Sequence, residues 1–150
     1  MSNYNKSTVL AAFLAKDEAS EITEDDISDK GYTCFDQNLL NYGSREYIVC
    51  TNEEADEAAR EAISDSLWAF NLDFLASITR IDRGVFKALQ ELCERSNPAV
   101  LSLVKDTCGL DKFVEEAVFT DGRGNFLSSY DGKEHYYSYN GEEFYIYRIN

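Results

Sequence analysis

The stretch from Thr51 to Asn71, TNEEADEAAREAISDSLWAFN, constrains the fold more than any other because all of its local signals agree. Thr51 or Asn52 can cap a helix, and Glu53, Glu54 and Asp56 follow where the helix dipole favours carboxylates. Neither Gly nor Pro interrupts before Asn71, so the spacing predicts one helix as far as Phe70. Its two sides differ in chemistry. Ala55, Ala58, Ala59, Ala62, Ile63, Leu67 and Phe70 recur at helical spacing, whereas Glu53, Glu57, Glu61 and Asp65 stand four residues apart. One side packs and the other is a row of carboxylates.

The elements around this helix follow from the same rules. Ser7 precedes TVLAAFLAKDEA, in which Val9, Leu10, Phe13 and Leu14 make a stripe suited to a short helix. KDEASEITEDDISDK, residues 16–30, has Ile22 and Ile27 as its only large apolar side chains and reads as a short helix or a loop, with a solvated connection favoured. After Gly31, YTCFDQ and REYIVCT carry the β-branched and aromatic residues of two short strands, separated by the Asn41-Tyr42-Gly43 turn signal. Asn71 introduces LDFLASITRI, an apolar segment that suits a short helix or a strand, the helix being favoured. Asp82 caps RGVFKALQELCERS, with Val85, Phe86, Leu89, Leu92 and Cys93 on one face. Pro98 opens AVLSLVKDTC in its favoured first-turn position, Gly109 closes it, and LDKFVEEAVF is the last helix before Asp121-Gly122. Residues 52–119 thus form a nearly continuous helical block. At the end of the chain EHYYSY and EEFYIYRI flank Asn140-Gly141, a strong hairpin signal because both central residues of a type I′ turn need positive φ. A two-residue loop pairs Tyr139 with Glu142, Tyr137 with Phe144 and His135 with Ile146. The expected class is α+β, the helical block flanked by the 32–51 strands and the C-terminal hairpin in one small antiparallel sheet.

A chain of 150 residues has the length of one ordinary domain, which buries roughly 68–70% of its unfolded surface, so a single domain over 1–150 is expected. Charge is the outlying property: 28 acidic against 14 basic residues give a formal −14. Direct binding to DNA, RNA or an anionic bilayer is disfavoured, because affinity for a polyanion comes mainly from Lys and Arg displacing counterions. A basic partner suits this charge. No signal segment and no membrane-length apolar run is evident, so a soluble protein inside the cell is expected. Cys34, Cys50, Cys93 and Cys108 match no zinc spacing and read as buried thiols.

Residues able to carry chemistry are few. His135 is the only histidine and would need Cys34 or Cys50 beside it in space to act with a nucleophile. In TDGRGNFLSSYDG, residues 120–132, Asp121, Arg123 and Asn125 suggest a calcium loop, but Phe126 stands where glycine is needed and Gly132 where a glutamate belongs. No Gly-Lys-Ser/Thr follows Gly122 or Gly124 to make a phosphate loop. The stretch reads as a turn in which Asp121 and Asp131 bond backbone amides and Arg123 pairs with a carboxylate. The chain is therefore expected to be no enzyme and to need no cofactor or metal.

EEADEAAREAISDSLWAFN, FLASIT and GRGNFLSSYDG together resemble a group of small acidic proteins encoded by bacteriophages and prophages, over about residues 47–132. The resemblance implies a phage setting and the host-cell cytoplasm, and it assigns no catalytic residue. In that setting the expected function is inhibition of a host nucleic-acid-binding defence system, as an anti-CRISPR protein would do. The contact residues would be Glu24, Asp25, Asp26, Asp29, Glu53, Glu54, Asp56, Glu57, Glu61 and Asp65, laid on a basic host protein, with a homodimer as a further arrangement. The single row from Glu53 to Asp65 is too sparse to imitate DNA alone: acids at i, i+4 lie about 6 Å apart, against one duplex charge per about 1.7 Å. The alternative is a structural or adaptor protein that binds through the aromatic hairpin.

Overall fold

The stripe of TVLAAFLAKDEA forms helix α1, Lys6–Glu18, in a computed structural model that describes residues 5–150. Its cap is Asn5, whose side chain accepts the Ser7 N–H at 2.8 Å. The helix buries Val9, Leu10, Ala11 and Leu14. The chain divides into two units, one comprising the residues up to Ala59 together with Arg123–Asn150 and the other Arg60–Gly122.

The first unit is built on one antiparallel sheet in the order β1-β2-β3-β5-β4. Its strands are β1 Ile27–Cys34, β2 Gln37–Tyr42, β3 Arg45–Cys50, β4 His135–Tyr139 and β5 Glu142–Arg148. The hairpin register is the expected one, with Tyr139 on Glu142, Tyr137 on Phe144 and His135 on Ile146. Asn140 and Gly141 both take positive φ, 49° and 84°. Three strands precede the long helix where two were expected. YTCFDQ is divided by a tight turn at Phe35 and Asp36, with φ 52° and 63°. Left-handed backbone costs a residue such as Phe35 roughly 1–2 kcal/mol, and Phe-Asp lacks the glycine that usually marks a two-residue hairpin turn.

Residues 16–30 are likewise not a solvated connection throughout. Helix α1 takes the chain to Glu18, a 3-10 turn spans Glu24–Asp26, and β1 begins at Ile27. Ile22 and Ile27 are buried in the cluster that α1 makes with Leu40, Tyr47, Val49, Phe144 and Ile146. Each such side chain contributes roughly 1.5–3 kcal/mol through removal from water. Ile48, Cys50 and Tyr147, on the opposite face of the sheet, are fully buried as well.

The expected long helix is α2, Asn52–Asp65. Thr51 and Glu54 form a reciprocal cap: Thr51 N–H donates to Glu54 Oε1 at 2.9 Å, and Glu54 N–H donates to Thr51 Oγ1 at 3.3 Å. Ala55, Ala58, Ala59, Ile63 and Leu67 are buried as the spacing predicts. The helix stops five residues short of Phe70, and a 3-10 turn follows at Leu67–Ala69. The Ser64 and Ser66 hydroxyls donate back to the carbonyls of Arg60 and Ala62, each at 2.7 Å, a local bonding that weakens a helix.

In the second unit α3 Leu72–Thr79, α4 Arg83–Gln90, α5 Asn97–Asp106 and α6 Leu110–Asp121 follow one another. Asn97 Nδ2 donates to the Ser64 carbonyl at 2.8 Å, and its Oδ1 accepts the Trp68 N–H at 3.1 Å, closing the end of α2. Phe70 stacks on Phe74, and both meet the Phe113 ring edge-on, with centroids 5.1–5.9 Å apart. The helix expected over 83–96 is shorter. It ends at Gln90, Cys93 turns the chain with φ 55°, and a 3-10 turn covers Cys93–Ser96. Of the expected face only Phe86 is fully buried, while Val85, Leu92 and Cys93 are exposed.

Candidate functional site

Two of the acidic segments are held against the first turn of α1. Thr8 Oγ1 donates to Glu24 at 2.7 Å, and Lys6 Nζ pairs with Glu54 at 2.8 Å while also donating to Gln37. The Glu24 segment and the start of α2 are therefore held by different residues of that turn, Thr8 and Lys6.

The ten expected contact residues fall into distinct classes. Asp26 accepts the Thr23 N–H and Asp29 accepts the Gly31 N–H, both at 2.9 Å, so each supports its own loop while staying exposed. Glu54 is half-buried, shared between Lys6 and the α2 cap, and Asp56 is tied to Arg123 at 2.9 Å. These last two are not free for a partner. Asp25, Glu53 and Glu57 in the first unit are exposed and make no ion pair or side-chain hydrogen bond among the described residues. The same holds for Glu61 and Asp65 in the second unit.

The Glu54 carboxyl illustrates the balance. Burial works to raise its pKa, but the Lys6 hydrogen bond, the Thr51 N–H and the Lys6 charge outweigh burial and hold it below its ordinary 4.5. A depressed folded-state pKa adds stability that is complete above about 4.5 and is lost as pH falls through the folded value. Glu54→Gln is therefore expected to be less stable than the parent in urea at pH 7, with the gap closing as pH drops below 4.5. A gap of equal size at pH 7 and pH 3 would contradict the Lys6–Glu54 assignment.

The DGRGNFLSSYDG stretch, expected as a turn, contains a short helix as well. Gly122, with φ 81°, ends α6, and Arg123–Leu127 forms a short helix, α7. Ser128 Oγ lies 2.7 Å from the Arg148 carbonyl and 2.8 Å from the Asp131 carboxylate, and donates to one of them. Ser129 Oγ donates to the Ile149 carbonyl at 2.6 Å. Asp131 also accepts the Lys133 N–H at 3.0 Å, as the turn reading expected of it. The paired serines thus fasten α7 to the last strand. Arg123 does find a carboxylate, and more than one. Its Nε donates to Glu134 at 2.8 Å, its Nη1 to Asp56 and Asn52 Oδ1 at 2.9 Å each, and its guanidinium lies 4.6 Å from the centre of the Tyr145 ring.

Only 10% of the Arg123 side chain is exposed. Burial opposes its charge most strongly, yet the Glu134 bond, the Tyr147 and Glu134 charges and the Asp56 bond raise its pKa above the ordinary value. Tyr147 donates its hydroxyl to Glu134 as well, and burial first, then that bond, push its pKa up. Asn52, Glu134, Tyr145 and Tyr147 are the members of this clasp that sequence reasoning missed. The only local signal was the pair of glycines around Arg123.

The sheet separates His135 from Cys50, two of the residues weighed for nucleophilic chemistry. Pairing places His135, Ile146 and Val49 on one face and Tyr136, Tyr145 and Cys50 on the other. His135 packs against Phe13 with ring centroids 5.5 Å apart. Burial, offset only partly by the Lys6 charge, pushes the Cys50 thiol up to about 12. Among the described residues no three His, Cys, Asp or Glu side chains are placed to hold a metal ion. Of the four cysteines only Cys50 is buried, while Cys93 is exposed. Among the described residues, no helix is long and apolar enough to cross a membrane. Compared with known proteins, the chain matches no family model, no curated protein and no solved structure.

Proposed function

We propose that this protein is a phage-encoded inhibitor of a host nucleic-acid-binding defence effector, acting stoichiometrically by covering a basic surface, in the manner of an anti-CRISPR protein. The observation that carries the reading is the set of exposed carboxylates unpaired among the described residues, Asp25, Glu53 and Glu57, on a unit with 17 acidic and 7 basic residues. Unengaged carboxylates gain most from a cationic partner, since no internal pair has to be broken. The likeness of GRGNFLSSYDG to phage proteins supports the setting. Their spacing suits the covering of a basic channel better than the tracing of a duplex.

A triple charge reversal, Asp25→Lys with Glu53→Lys and Glu57→Lys, tests the reading against an effector captured from host lysate. At 150 mM salt the reversal is expected to weaken binding at least about 30-fold, and parental binding should itself fall as salt rises to 500 mM. Unchanged inhibition by the triple variant removes the electrostatic reading. The adaptor alternative keeps one observation in its favour, a Tyr136 side chain that is 54% exposed on the hairpin. Deleting residues 133–150 would remove β5 from the sheet interior, so Tyr136→Ser is the variant that probes it.

A further inference from the structure

We infer that the outer edge of β4 is a strand-addition site for an extended, basic segment of a partner protein. This inference does not rest on the acidic-surface reading above.

The two edges of the sheet differ in how they are defended. β1 carries Asp29, Lys30 and Gly31 at an irregularity in its pairing, the usual means by which an edge refuses another strand. β4 is regular, His-Tyr-Tyr-Ser-Tyr, with no formal charge and no proline. The two-residue turn makes Tyr139 and Glu142 a hydrogen-bonded pair, so Tyr139, Tyr137 and His135 spend their backbone groups on β5. Tyr136 and Ser138 therefore direct their N–H and C=O outward, and no loop of the described residues bonds them.

A cavity of about 320 Å³ sits at this edge, lined by Phe13, Lys16 and Asp17 of α1 with Tyr136 and Tyr137. Tyr136 and Tyr137 both border this space, so it lies along β4 itself. A strand laid antiparallel to β4 would exchange bonds with Tyr136 and Ser138. Its residue opposite Tyr137 would turn toward Phe13, whose ring is 5.7 Å from that of Tyr137. That position accepts a bulky apolar side chain. A second copy of this chain is disfavoured as occupant because each carries −14, and the same charge favours a segment with Lys or Arg at its ends.

The probe is the blocked peptide Lys-Thr-Val-Leu-Val-Thr-Lys, titrated into the full chain by calorimetry with hydrogen exchange read at Tyr136 and Ser138. Expected are binding in the micromolar to sub-millimolar range, slowed exchange at those two amides, and at least a tenfold loss when glutamate replaces the terminal lysines. Ser138→Pro removes an outward N–H without touching the β5 ladder and is expected to abolish binding. Should that variant unfold, N-methylation of both peptide valines tests the same bonds from the other side. Equal binding by the methylated peptide, equal binding by the glutamate peptide, or none at 2 mM overturns the inference. So does self-association of the parent that Ser138→Pro prevents, since the occupant would then be a second copy.

Discussion

Gly124→Ala is expected to destabilise the protein by about 3 kcal/mol in urea unfolding, at the upper end of what a small core insertion does. Gly124 lies in a helix, where alanine would ordinarily be favoured by about 1 kcal/mol, so local propensity predicts the opposite sign. A Cβ at this position would lie 2.7 Å from Glu134 N, the Gly132 carbonyl oxygen and the Lys133 carbonyl carbon. All three are backbone atoms, in a segment pinned by the Asp131–Lys133 bond and the start of β4. They cannot swing aside as a side-chain tip would. Gly84→Ala in α4 is the matched control, because its Cβ meets only a carboxylate oxygen of Asp82 at 3.2 Å. That substitution should be neutral or mildly stabilising. A Gly124→Ala protein as stable as the parent would refute the close packing of α7 on residues 132–134.

Arg123→Met is expected to cost about 2 kcal/mol, between what an exposed pair contributes and what the loss of one partner of a buried pair costs. The two carboxylates contribute unequally. Asp56 is 66% exposed, so its pairing is screened by water, whereas Glu134 is 31% exposed and faces an Arg123 side chain that is only 10% exposed. Loss of the guanidinium leaves Glu134 half-buried with Tyr147 as its remaining donor and strips the Tyr145 ring of its cation. Arg123→Lys should recover little, because one ammonium cannot reach Glu134 through one nitrogen and Asp56 and Asn52 through another. In a double-mutant cycle, Glu134→Gln should cost clearly less in the Arg123→Met background than in the parent. Strict additivity would mean that the pair contributes nothing.

Both substitutions fall in the GRGNFLSSYDG stretch, the segment whose composition is most distinctive and whose structural role was least legible. Its glycines satisfy different demands. Gly122 supplies a positive φ at the end of α6, and Gly124 leaves room for another piece of backbone. Neither demand shows in the local pattern, since the backbone that crowds Gly124 comes from eight to ten residues further along. The candidate acidic surface was legible as composition and spacing. Its division into engaged Glu54 and Asp56 and unengaged Asp25, Glu53 and Glu57 was not, because Lys6 lies 48 residues from Glu54 and Arg123 lies 67 from Asp56.

By itself the sequence determined the α2 start, the apolar face of that helix, the register of the C-terminal hairpin and the α+β class. Each depends on residues within a turn or a two-residue loop of one another, where period and φ preference act directly. Only the tertiary structure decided that Phe35 and Asp36 would bend left-handed, that α2 would end at Asp65, and that Arg123 would be enclosed by Asn52, Asp56, Glu134 and Tyr145. Those outcomes arise where burial and ion pairing between distant segments outweigh local preference by a few kcal/mol, a balance that neighbouring residues do not record.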